Sequence, residues 1–558
     1  MEWDTSCVDW EKRIENSESL IPVGPLFPDQ ANDALDVFSN LRMVDATGSP
    51  LMGDACLPWV MDIVATLFGS YDESTGRRLI KNYFLMVSKK NGKSTIAAGI
   101  MLTALVLNTR PSGEFIILSP TKEASDNAYK PIRDMIRAEP ELAARFHEQE
   151  HIRTITDRLN NATLKVVAAD STTVTGKKAI GVFIDELHEF GKKSKAAGML
   201  TEATGGLASR PEGFVFYCTT QSNEPPAGVF RAKLKYARDV RDGKVKDKMF
   251  LPIIYEFPQW MIDRNMHRDL RNAYVTNPNW GVSVDQEVIE QKYQEAASEG
   301  EEATLDFLAK HLNVEIGMNL RSDRWAGADY WESRGQSLTL NELLDRSEVV
   351  TLGVDGGGLD DLLGAAAIGR EKDTGRWLHW GKAWAHPSVL ERRKEIAPRL
   401  LDFEKDGDLV IVEDIGDDVR ELAEIFKMIY DTGKLPEKFA IGLDQIGISF
   451  EEPFAEAELP TELLASISQG YRLGGTIKTV ERKLAEGSFI HGNRPMMAWA
   501  VSNARVEQRA NSILITKQAS GTAKIDPLMA LLDAAQLMAL NPVATGLSVY
   551  ESRGIRFI

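Results

Sequence analysis

Two groups of residues in this chain have the types and spacing that phosphate chemistry requires. The first is the loop at 87–95, which reads VSKKNGKST and follows the apolar run at 83–86. In a phosphate-binding loop, a glycine lets backbone amides approach phosphate oxygens, a lysine neutralises them, and a hydroxyl group ligates Mg²⁺. Gly92, Lys93 and Ser94 meet these needs, although Val87 stands where the full pattern has its first glycine. The loop therefore predicts an ATP site.

A pair of acids that ends the apolar run at 182–184 is the predicted partner of this loop. In a nucleotide hydrolase, Asp185 would hold Mg²⁺, and Glu186 would orient and deprotonate the attacking water. A buried strand that simply ends in acidic surface residues is the alternative. His188 and Glu189, in the following turn, are interpreted as structural.

A third predicted contact lies at the carboxyl end of the apolar run at 214–218, the place where α/β sheets position their ligands. Thr220 stands there and would sense the γ-phosphate, unless the segment is a plain turn before Pro225. The full set of predicted nucleotide contacts is Ser88, Lys89, Lys90, Asn91, Gly92, Lys93, Ser94, Thr95, Asp185 and Thr220.

The second group consists of aspartates after residue 350. Asp355 and Asp444 each end an apolar run, and Asp526 precedes an apolar helix with Pro527 in its first turn. Three carboxylates brought together from distant positions are what two-metal cleavage of a phosphodiester needs. Each also has a local alternative, since Asp355 precedes three glycines in a possible turn and Asp526 is a candidate helix cap.

Other acids compete for the same role. Glu413 and Asp414 follow the apolar run at 409–412 and rival Asp444 as the second acid, and Asp360 or Asp361 is a candidate further ligand. Sites built only from oxygen ligands favour Mg²⁺ or Mn²⁺ over zinc.

Length and charge limit the classes of protein to consider. A chain of 558 residues with 43% hydrophobic content predicts two or more globular domains. No apolar stretch approaches the roughly 20 residues of a membrane-spanning helix, and the acidic start does not resemble a signal peptide, so we expect an intracellular protein. With a formal net charge of −17, DNA binding would require local basic patches, such as the stretches at 231–248 and 392–394.

The order of apolar runs predicts an α/β fold. In the first half, short apolar runs at 115–118, 182–184 and 214–217 alternate with helical stretches, which favours a parallel sheet. A second unit opens with a strand and then a hairpin whose turn lies at 373–375. The predicted boundaries are 1–50 for an N-terminal segment, 51–315 for the nucleotide-binding domain, 316–347 for a linker, 348–542 for the second domain and 543–558 for a tail.

Several short motifs occur in a characteristic order: LPW at 57–59, LFG at 67–69, KNGKS at 90–94, DELH at 185–188, NP at 277–278, HGNRP at 491–495 and KID at 524–526. With these motifs, from about Leu57 to Leu540, the chain resembles the large terminase subunit of tailed double-stranded DNA phages, an ATP-driven packaging motor and nuclease. It departs from that family at Val60, where glutamine commonly reads adenine, and at Lys89, where arginine is common. Lysine keeps the charge but lacks the planar fork that grips phosphate.

The resemblance implies a fold and two sites. It implies an N-terminal P-loop ATPase domain with a mostly parallel sheet, and a C-terminal ribonuclease H-like α/β nuclease domain. In the ATPase site, the implied catalytic residues are Lys93 and Glu186, and Ser94 and Asp185 would hold the Mg²⁺ that accompanies ATP. In the nuclease site, Asp355, Asp444 and Asp526 are the implied catalytic residues and would hold Mg²⁺ or Mn²⁺. The choice between Asp444 and the pair Glu413 and Asp414 stays open.

The resemblance also implies partners and a location. The partners are double-stranded DNA, a small terminase subunit and the portal protein, and no membrane is involved. The working form would be a ring of five subunits. It would act in the cytoplasm of the infected bacterium, transiently at the procapsid portal. A nucleic-acid helicase is an alternative because DELH fits the DExH pattern, but a helicase needs a second RecA-like domain with its own arginine-bearing motif, and none is recognised after residue 350. A non-enzymatic scaffold with a decayed nucleotide site is the third reading.

Overall fold

The computed structural model describes residues 2–169, 178–193, 195–316, 325–444, 450–509, 512–517 and 524–545. The chain divides into two compact units, Met1–Ile316 and Gly317–Ile558. Within the described ranges, no helix has both the length and the apolar character needed to cross a membrane.

The first unit combines ten strands and thirteen α-helices over its described residues. The strands are β1 (Tyr71–Asp72), β2 (Arg77–Arg78), β3 (Asn82–Met86), β4 (Glu114–Ser119), β5 (Phe146–Gln149), β6 (Thr154–Asp157), β7 (Thr163–Ala168), β8 (Ala179–Ile184), β9 (Phe214–Thr219) and β10 (Phe250–Ile254). The helices are α1 (Trp10–Glu15), α2 (Pro28–Ser39), α3 (Met52–Ala55), α4 (Pro58–Phe68), α5 (Lys93–Val106), α6 (Lys122–Ala138), α7 (Pro140–Arg145), α8 (Leu187–Phe190), α9 (Ala196–Gly205), α10 (Gly228–Arg241), α11 (Gln259–Asp263), α12 (Gln286–Glu299) and α13 (Glu301–Leu312).

Eight of these strands form one sheet in the order β10-β3-β9-β8-β4-β7-β6-β5. Neighbours from β10 to β7 are parallel, and the pairs β7-β6 and β6-β5 at one edge are antiparallel. The predicted mostly parallel sheet is therefore confirmed. Strand β9 lies between β3 and β8, so the carboxyl ends of all three meet at one edge, where α/β sheets bind ligands.

The core of this sheet explains why its strands read as unbroken apolar runs. A parallel strand is covered by helices on both faces, so residues pointing either way must be apolar. Phe183 stacks on Phe216 with ring centroids 5.0 Å apart, and Phe216 stacks on Tyr83 at 5.9 Å. These contacts join β8, β9 and β3 and fix the relative positions of their ends.

The N-terminal residues pack onto the first unit. The Trp3 indole donates a hydrogen bond to the Lys248 carbonyl oxygen at 2.8 Å, and the Arg241 guanidinium lies 4.0 Å from the Trp10 ring centroid. On α2, Phe38 is fully buried and approaches Gly99 of α5 so closely that a Cβ there would lie 2.6 Å from its ring. Residues 1–50 thus contribute to the core of this unit.

The second unit begins with short helices and continues into a second sheet. Its strands are β11 (Ser347–Gly356), β12 (Leu362–Glu371), β13 (Trp377–Ala385), β14 (Leu409–Ile411), β15 (Ile441–Asp444), β16 (Leu464–Ile467), β17 (Phe489–His491), β18 (Ala504–Arg509) and β19 (Ser512–Lys517). Its helices are α14 (Ala328–Trp331), α15 (Leu340–Arg346), α16 (Ser388–Arg392), α17 (Ala397–Lys405), α18 (Asp417–Asp431), α19 (Glu451–Glu456), α20 (Gly474–Glu486), α21 (Pro495–Asn503) and α22 (Asp526–Met538).

The sheet of the second unit has the order β14-β13-β12-β11-β15-β16, with β17 also paired to β13. Strands β11, β12 and β13 form an antiparallel meander, which confirms the predicted hairpin, and its turn contains Gly375 at φ +67°. Strand β15 then pairs in parallel with β11, and β16 with β15. A meander whose first strand is extended by parallel strands is the ribonuclease H-like α/β arrangement expected from the sequence.

Residues 325–346 contain ordered helices, whereas the sequence predicted a polar linker at 316–347. They form α14 and α15 with a short 3₁₀ turn between them, and Trp325 and Trp331 are buried in the core of the second unit. The Trp331 ring stacks on His491 with centroids 3.9 Å apart. The prediction rested on the glycine and serine content of this stretch. It overlooked Trp325 and Trp331 because the composition of a segment does not show which single side chains are buried.

Helix α22 lies directly on the second sheet because small residues face it. A Cβ on Gly353 of β11 would lie 2.1 Å from the Ala530 carbonyl oxygen, and one on Gly364 of β12 would lie 2.8 Å from the Asp526 backbone. On β15, the same atom on Gly442 would lie 3.0 Å from the Asp533 carbonyl oxygen. Three glycines therefore hold the helix and its two aspartates against the strand ends.

We expect Gly353→Ala to destabilise the second unit, because the added methyl group meets helix backbone that has no rotamer in which to move aside. Overpacking of this kind costs about 1–3 kcal/mol. Gly475→Ala is the matched control, since its Cβ meets no described atom within 4 Å and it lies in a helix. Chemical denaturation measures the difference, and equal unfolding midpoints for Gly353→Ala and wild type would contradict the packing.

Candidate functional sites

The loop at 87–92 connects β3 to α5 and has the backbone shape of an anion-binding turn. Lys90 and Gly92 both have positive φ, +72° and +76°, and Gly92 immediately precedes the first helical residue, Lys93. Glycine adopts this conformation at little cost. The first amides of α5 have no partner within the helix and therefore face the loop, where a phosphate would be favoured.

The lysine of this loop folds back onto it. Lys93 Nζ donates hydrogen bonds to the carbonyl oxygens of Val87 at 3.1 Å and Ser88 at 3.0 Å. The Ser88 hydroxyl is buried and has no hydrogen-bond partner among the described residues. Ser94 and Thr95 are partly exposed in the first turn of the helix. The loop thus holds its cation and several polar groups ready for an anionic ligand.

A network of asparagines fixes the loop through hydrogen bonds from a distant segment. Asn91 Nδ2 donates to Asn277 Oδ1 at 2.9 Å, and the Asn279 amide donates to Asn91 Oδ1 at 3.1 Å. The Trp59 indole in turn donates to Asn279 Oδ1 at 2.8 Å. These contacts join the motifs at 57–59 and 277–278 to the loop, an arrangement that the sequence order alone did not reveal.

Three positions of the loop region have distinct environments. Lys89 is partly buried, and its amide donates to the Lys310 carbonyl oxygen at 2.9 Å. Burial, and then the positive charge of Lys310, lower the pKa of the Lys89 side chain. Lys90 is exposed, whereas Val60 is only 1% exposed and provides no side-chain hydrogen bond for a base.

Asp185 follows β8 at the same sheet edge and is 5% exposed. Its Oδ1 atom has no hydrogen-bond partner within the described part of the chain. Burial, followed by repulsion from Glu186, raises the pKa of Asp185 to about 7, while Lys93 opposes the shift. A buried carboxylate with an unused oxygen beside a lysine is an incomplete arrangement that a cation would complete.

Glu186 occupies a left-handed backbone conformation, with φ +49°, at the start of α8. For a residue other than glycine this conformation is strained by about 1–3 kcal/mol and is often found at functional positions.

At the end of the adjacent strand β9, Thr219, Thr220 and Gln221 are all buried. The sheet order places Thr220 between the loop and Asp185.

The basic stretch at 231–248 is largely neutralised within the first unit. Arg238 pairs with Glu256 and with Glu315 at 2.7 Å, and Arg241 pairs with Glu256 at 2.6 Å. Arg241 is only 5% exposed. These two arginines therefore stabilise the fold rather than provide a DNA-binding surface.

In the second unit, the aspartates predicted from separate runs lie on neighbouring elements. Asp355 is near the end of β11, Asp444 ends the adjacent parallel strand β15, and Asp526 begins α22 above them. Burial, and then the charges of Asp361 and Asp355, raise the pKa of Asp526 well above its ordinary value. Its Oδ2 atom is buried and has no hydrogen-bond partner among described groups.

The local alternatives for Asp355 and Asp526 are not supported. The N-cap of α22 is Ile525, and within the described residues the cap makes no side-chain hydrogen bond. Asp355 pairs with Gly364 inside the sheet, and its Oδ1 accepts a hydrogen bond from Gln469 Nε2 at 3.0 Å. Both carboxylates belong to the sheet edge and not to a simple turn or cap.

The rival acids lie elsewhere on the sheet. Glu413 and Asp414 follow β14, which is three strands away from β11 in the sheet order, roughly 14 Å at ordinary strand spacing. Asp361 instead accepts a hydrogen bond from Lys524 Nζ at 2.5 Å, and Asp360 pairs with Arg393 at 2.8 Å. The sheet order therefore favours Asp444 over the rival pair as the neighbour of Asp355.

Sequence reasoning missed Asp533. It lies seven residues after Asp526 on the same face of α22, is fully buried, and neither carboxylate oxygen has a hydrogen-bond partner in the described ranges. Burial, and then the charges of Asp355 and Asp444, raise its pKa well above the ordinary value. One charged residue inside the apolar run at 527–538 was the available signal.

The acids of the second unit fit a cation chemically. No group of three or more histidine, cysteine or acidic side chains in the described ranges is already arranged to hold a metal ion. The buried, unpartnered oxygens of Asp526 and Asp533, and the raised pKa values of both residues, are nevertheless what a set of carboxylates shows when its compensating charge is missing.

Comparisons with known proteins connect these sites to a family. Residues 58–239 match the family model described as "Terminase large subunit, ATPase domain". The chain is 22% identical over 500 residues to the terminase large subunit of Enterobacteria phage HK97, covering 87% of this chain and 90% of that protein. It is 21% identical over 492 residues to the terminase large subunit of Lactococcus phage p2, covering 83% of each.

Among solved structures, the HK97 bacteriophage large terminase aligns over 91% of this chain and 99% of its own, with 17% identity and a TM-score of 0.48. The family match and the two sequence relatives confirm the resemblance first drawn from the short motifs. The chain is thus similar to phage terminase large subunits over most of its length, and its residues 58–239 match the model of that family's ATPase domain.

Proposed function

We propose that this protein is an ATP-driven motor that moves double-stranded DNA into a phage procapsid and a metal-dependent endonuclease that cuts concatemeric DNA. The observation that carries the ATPase half is the meeting at one sheet edge of Lys93 and Asp185, whose buried Oδ1 atom has no hydrogen-bond partner among the described residues. The nuclease half is supported by the acids that converge at the ends of β11 and β15 under α22.

In the ATPase, Lys93 would exchange the loop carbonyls that it now contacts for β- and γ-phosphate oxygens. Ser94 and Asp185 would hold Mg²⁺, which neutralises phosphate charge. Glu186 would accept the proton of the attacking water, and Thr220 would contact the γ-phosphate. The remaining loop residues, Ser88 to Gly92 with Thr95, would surround the phosphates with backbone amides and polar side chains.

In the nuclease, Asp355, Asp444 and Asp526 would hold Mg²⁺ or Mn²⁺, which activates water and stabilises the leaving oxygen of a phosphodiester. Gln469 orients Asp355 through its 3.0 Å hydrogen bond. Lys524, only 2% exposed, holds the turn of Asp360 and Asp361 beside Asp526. These contacts position the carboxylates before any ion binds.

We further propose a ring of five subunits at the procapsid portal, in the cytoplasm of the infected bacterium, with a small terminase subunit selecting the DNA. A ring would concentrate modest basic surfaces around one duplex, which eases the objection raised by the net charge. Because Arg238 and Arg241 are paired internally, exposed cations such as Arg392 and Lys394 are better candidates for DNA contact.

The structure does not favour a helicase. A second RecA-like domain would supply another mostly parallel sheet, whereas the second unit opens with the antiparallel meander β11-β12-β13. A scaffold with a decayed nucleotide site is also disfavoured, because Lys93, Asp185 and Glu186 all lie at the relevant sheet edge. Absence of ATP turnover with DNA present would revive the scaffold.

We expect Lys93→Ala to lower ATP turnover by roughly a hundredfold or more, because it removes the cation that faces the phosphates. Lys12→Ala, an exposed lysine on α1, is the control and should turn over ATP like wild type. Phosphate release with DNA present measures both variants. Wild-type turnover in Lys93→Ala would refute the proposed ATP site.

We expect Asp355→Ala and Asp444→Asn to lose plasmid cleavage with Mg²⁺ or Mn²⁺ by roughly a hundredfold or more, since each loses a charge that holds the ion. Asp414→Asn is the matched control at the end of β14 and should cut like wild type. ATP turnover should persist in all three variants. Loss of cleavage in Asp414→Asn with retention in Asp444→Asn would assign the second acid to β14.

A further inference from the structure

His188 lies in α8, is 5% exposed, and contacts groups from both strand ends of the ATP site. Its Nδ1 atom is 3.2 Å from Glu186 Oε2, 3.2 Å from Thr219 Oγ1 and 3.4 Å from Thr220 Oγ1. On the other side of the ring, Nε2 is 3.2 Å from Glu189 Oε1. One imidazole therefore spans β8 and β9 at their carboxyl ends.

The hydrogen-bond roles around Nδ1 limit which partner it has. Thr219 Oγ1 accepts from the His188 amide at 3.0 Å and donates to the Thr220 carbonyl oxygen at 2.8 Å, so its single proton is already used. A neutral imidazole carries one N–H. With that proton on Nε2, the ring donates to Glu189, and Nδ1 accepts from the Thr220 hydroxyl. With the proton on Nδ1, the ring N–H lies beside Glu186 Oε2 at 3.2 Å, although the geometry in this conformation is not that of a hydrogen bond.

The contact with His188 bears on the direction of the Glu186 carboxylate. The Oε2 atom of Glu186 is buried and makes no hydrogen bond in the described part of the chain, and Nδ1 of His188 lies 3.2 Å from it. The strained backbone of Glu186 places the carboxylate at the sheet edge but does not fix its orientation. A base that must accept a proton from water needs that orientation fixed.

We infer that His188 is a positioning residue that couples the orientation of Glu186 to the state of Thr220. The Nδ1 atom of its ring contacts the carboxylate in one tautomer and the threonine hydroxyl in the other. Engagement of Thr220 by the γ-phosphate removes the competing donor and leaves Nδ1 to Glu186. This inference rests on the ATPase half of the proposed function. It gives a positioning role to His188, which the sequence analysis had interpreted as structural.

A purely structural role would use the other side of the ring. Nε2 pairs with Glu189, whose pKa is lowered to about 2 chiefly by that hydrogen bond, and Glu189 also pairs with Lys192 at 3.0 Å. The ring further packs edge-on against Phe230 with centroids 6.4 Å apart. Two substitutions separate the roles, because an asparagine amide nitrogen replaces Nδ1 and a glutamine amide nitrogen replaces Nε2.

The experiment compares His188→Asn, His188→Gln and His188→Ala in the full chain. It records kcat and KM for ATP with DNA present, the Kd of a non-hydrolysable ATP analogue, and the unfolding midpoint. We expect His188→Ala and His188→Gln to lower kcat roughly ten- to a hundredfold with unchanged analogue Kd, and His188→Asn to restore most of kcat, in protein that the unfolding midpoint shows to be folded at the assay temperature. Rescue by glutamine and not by asparagine, or equal kcat in all variants, would overturn the inference.

A double-mutant cycle with Thr220→Val tests the coupling and does not depend on the folding of His188→Asn. If both residues act through one link, the double variant with His188→Ala should lose about as much kcat as the more damaging single change. Multiplicative losses would overturn the coupling. Wild-type turnover that does not depend on Lys93 would instead refute the proposed ATPase, which separates the two failures.

Discussion

Carboxylates buried at strand ends, or on a helix packed against the sheet, are the constraint on which both units depend. An ionised acid removed from water is costly unless a cation or several hydrogen bonds compensate it. The pKa of Asp185 is raised to about 7, and those of Asp526 and Asp533 are raised well above their ordinary values, each chiefly by burial. The fold maintains these unfavourable positions, and under the proposed function a divalent ion would compensate the buried charge.

The two units meet this constraint with different scaffolds. In the first, a parallel sheet gathers three strand ends, and aromatic stacking through Phe216 keeps those strands aligned. Asparagines from distant segments then fix the loop that faces Asp185. In the second, the sheet brings Asp355 beside Asp444, and the absence of side chains at Gly353 and Gly364 allows α22 to place Asp526 against them. A single added methyl group at either glycine would displace an acid.

Local sequence was enough to predict the strand ends and much of the fold. Where an apolar run stops at an acid, the strand also ends close to that acid, so the ends of β8, β11 and β15 could be predicted from local sequence. Asp533 was not, because its helix reads as continuous apolar core and only the sheet beneath it shows that the position is near other acids. Pairing of Arg238 with Glu256 and burial of Trp325 likewise depend on contacts between distant segments, which neither composition nor spacing specifies.

We propose that these buried acids form two separate cation sites, one in each unit. The most direct measurement is a crystal structure of the full chain with a non-hydrolysable ATP analogue and Mn²⁺, using anomalous scattering to locate the metal. We expect one Mn²⁺ position beside Ser94 and Asp185, and at least one other among Asp355, Asp444 and Asp526. Metal bound instead at Glu413 and Asp414, or no metal at either group of acids, would contradict the proposal.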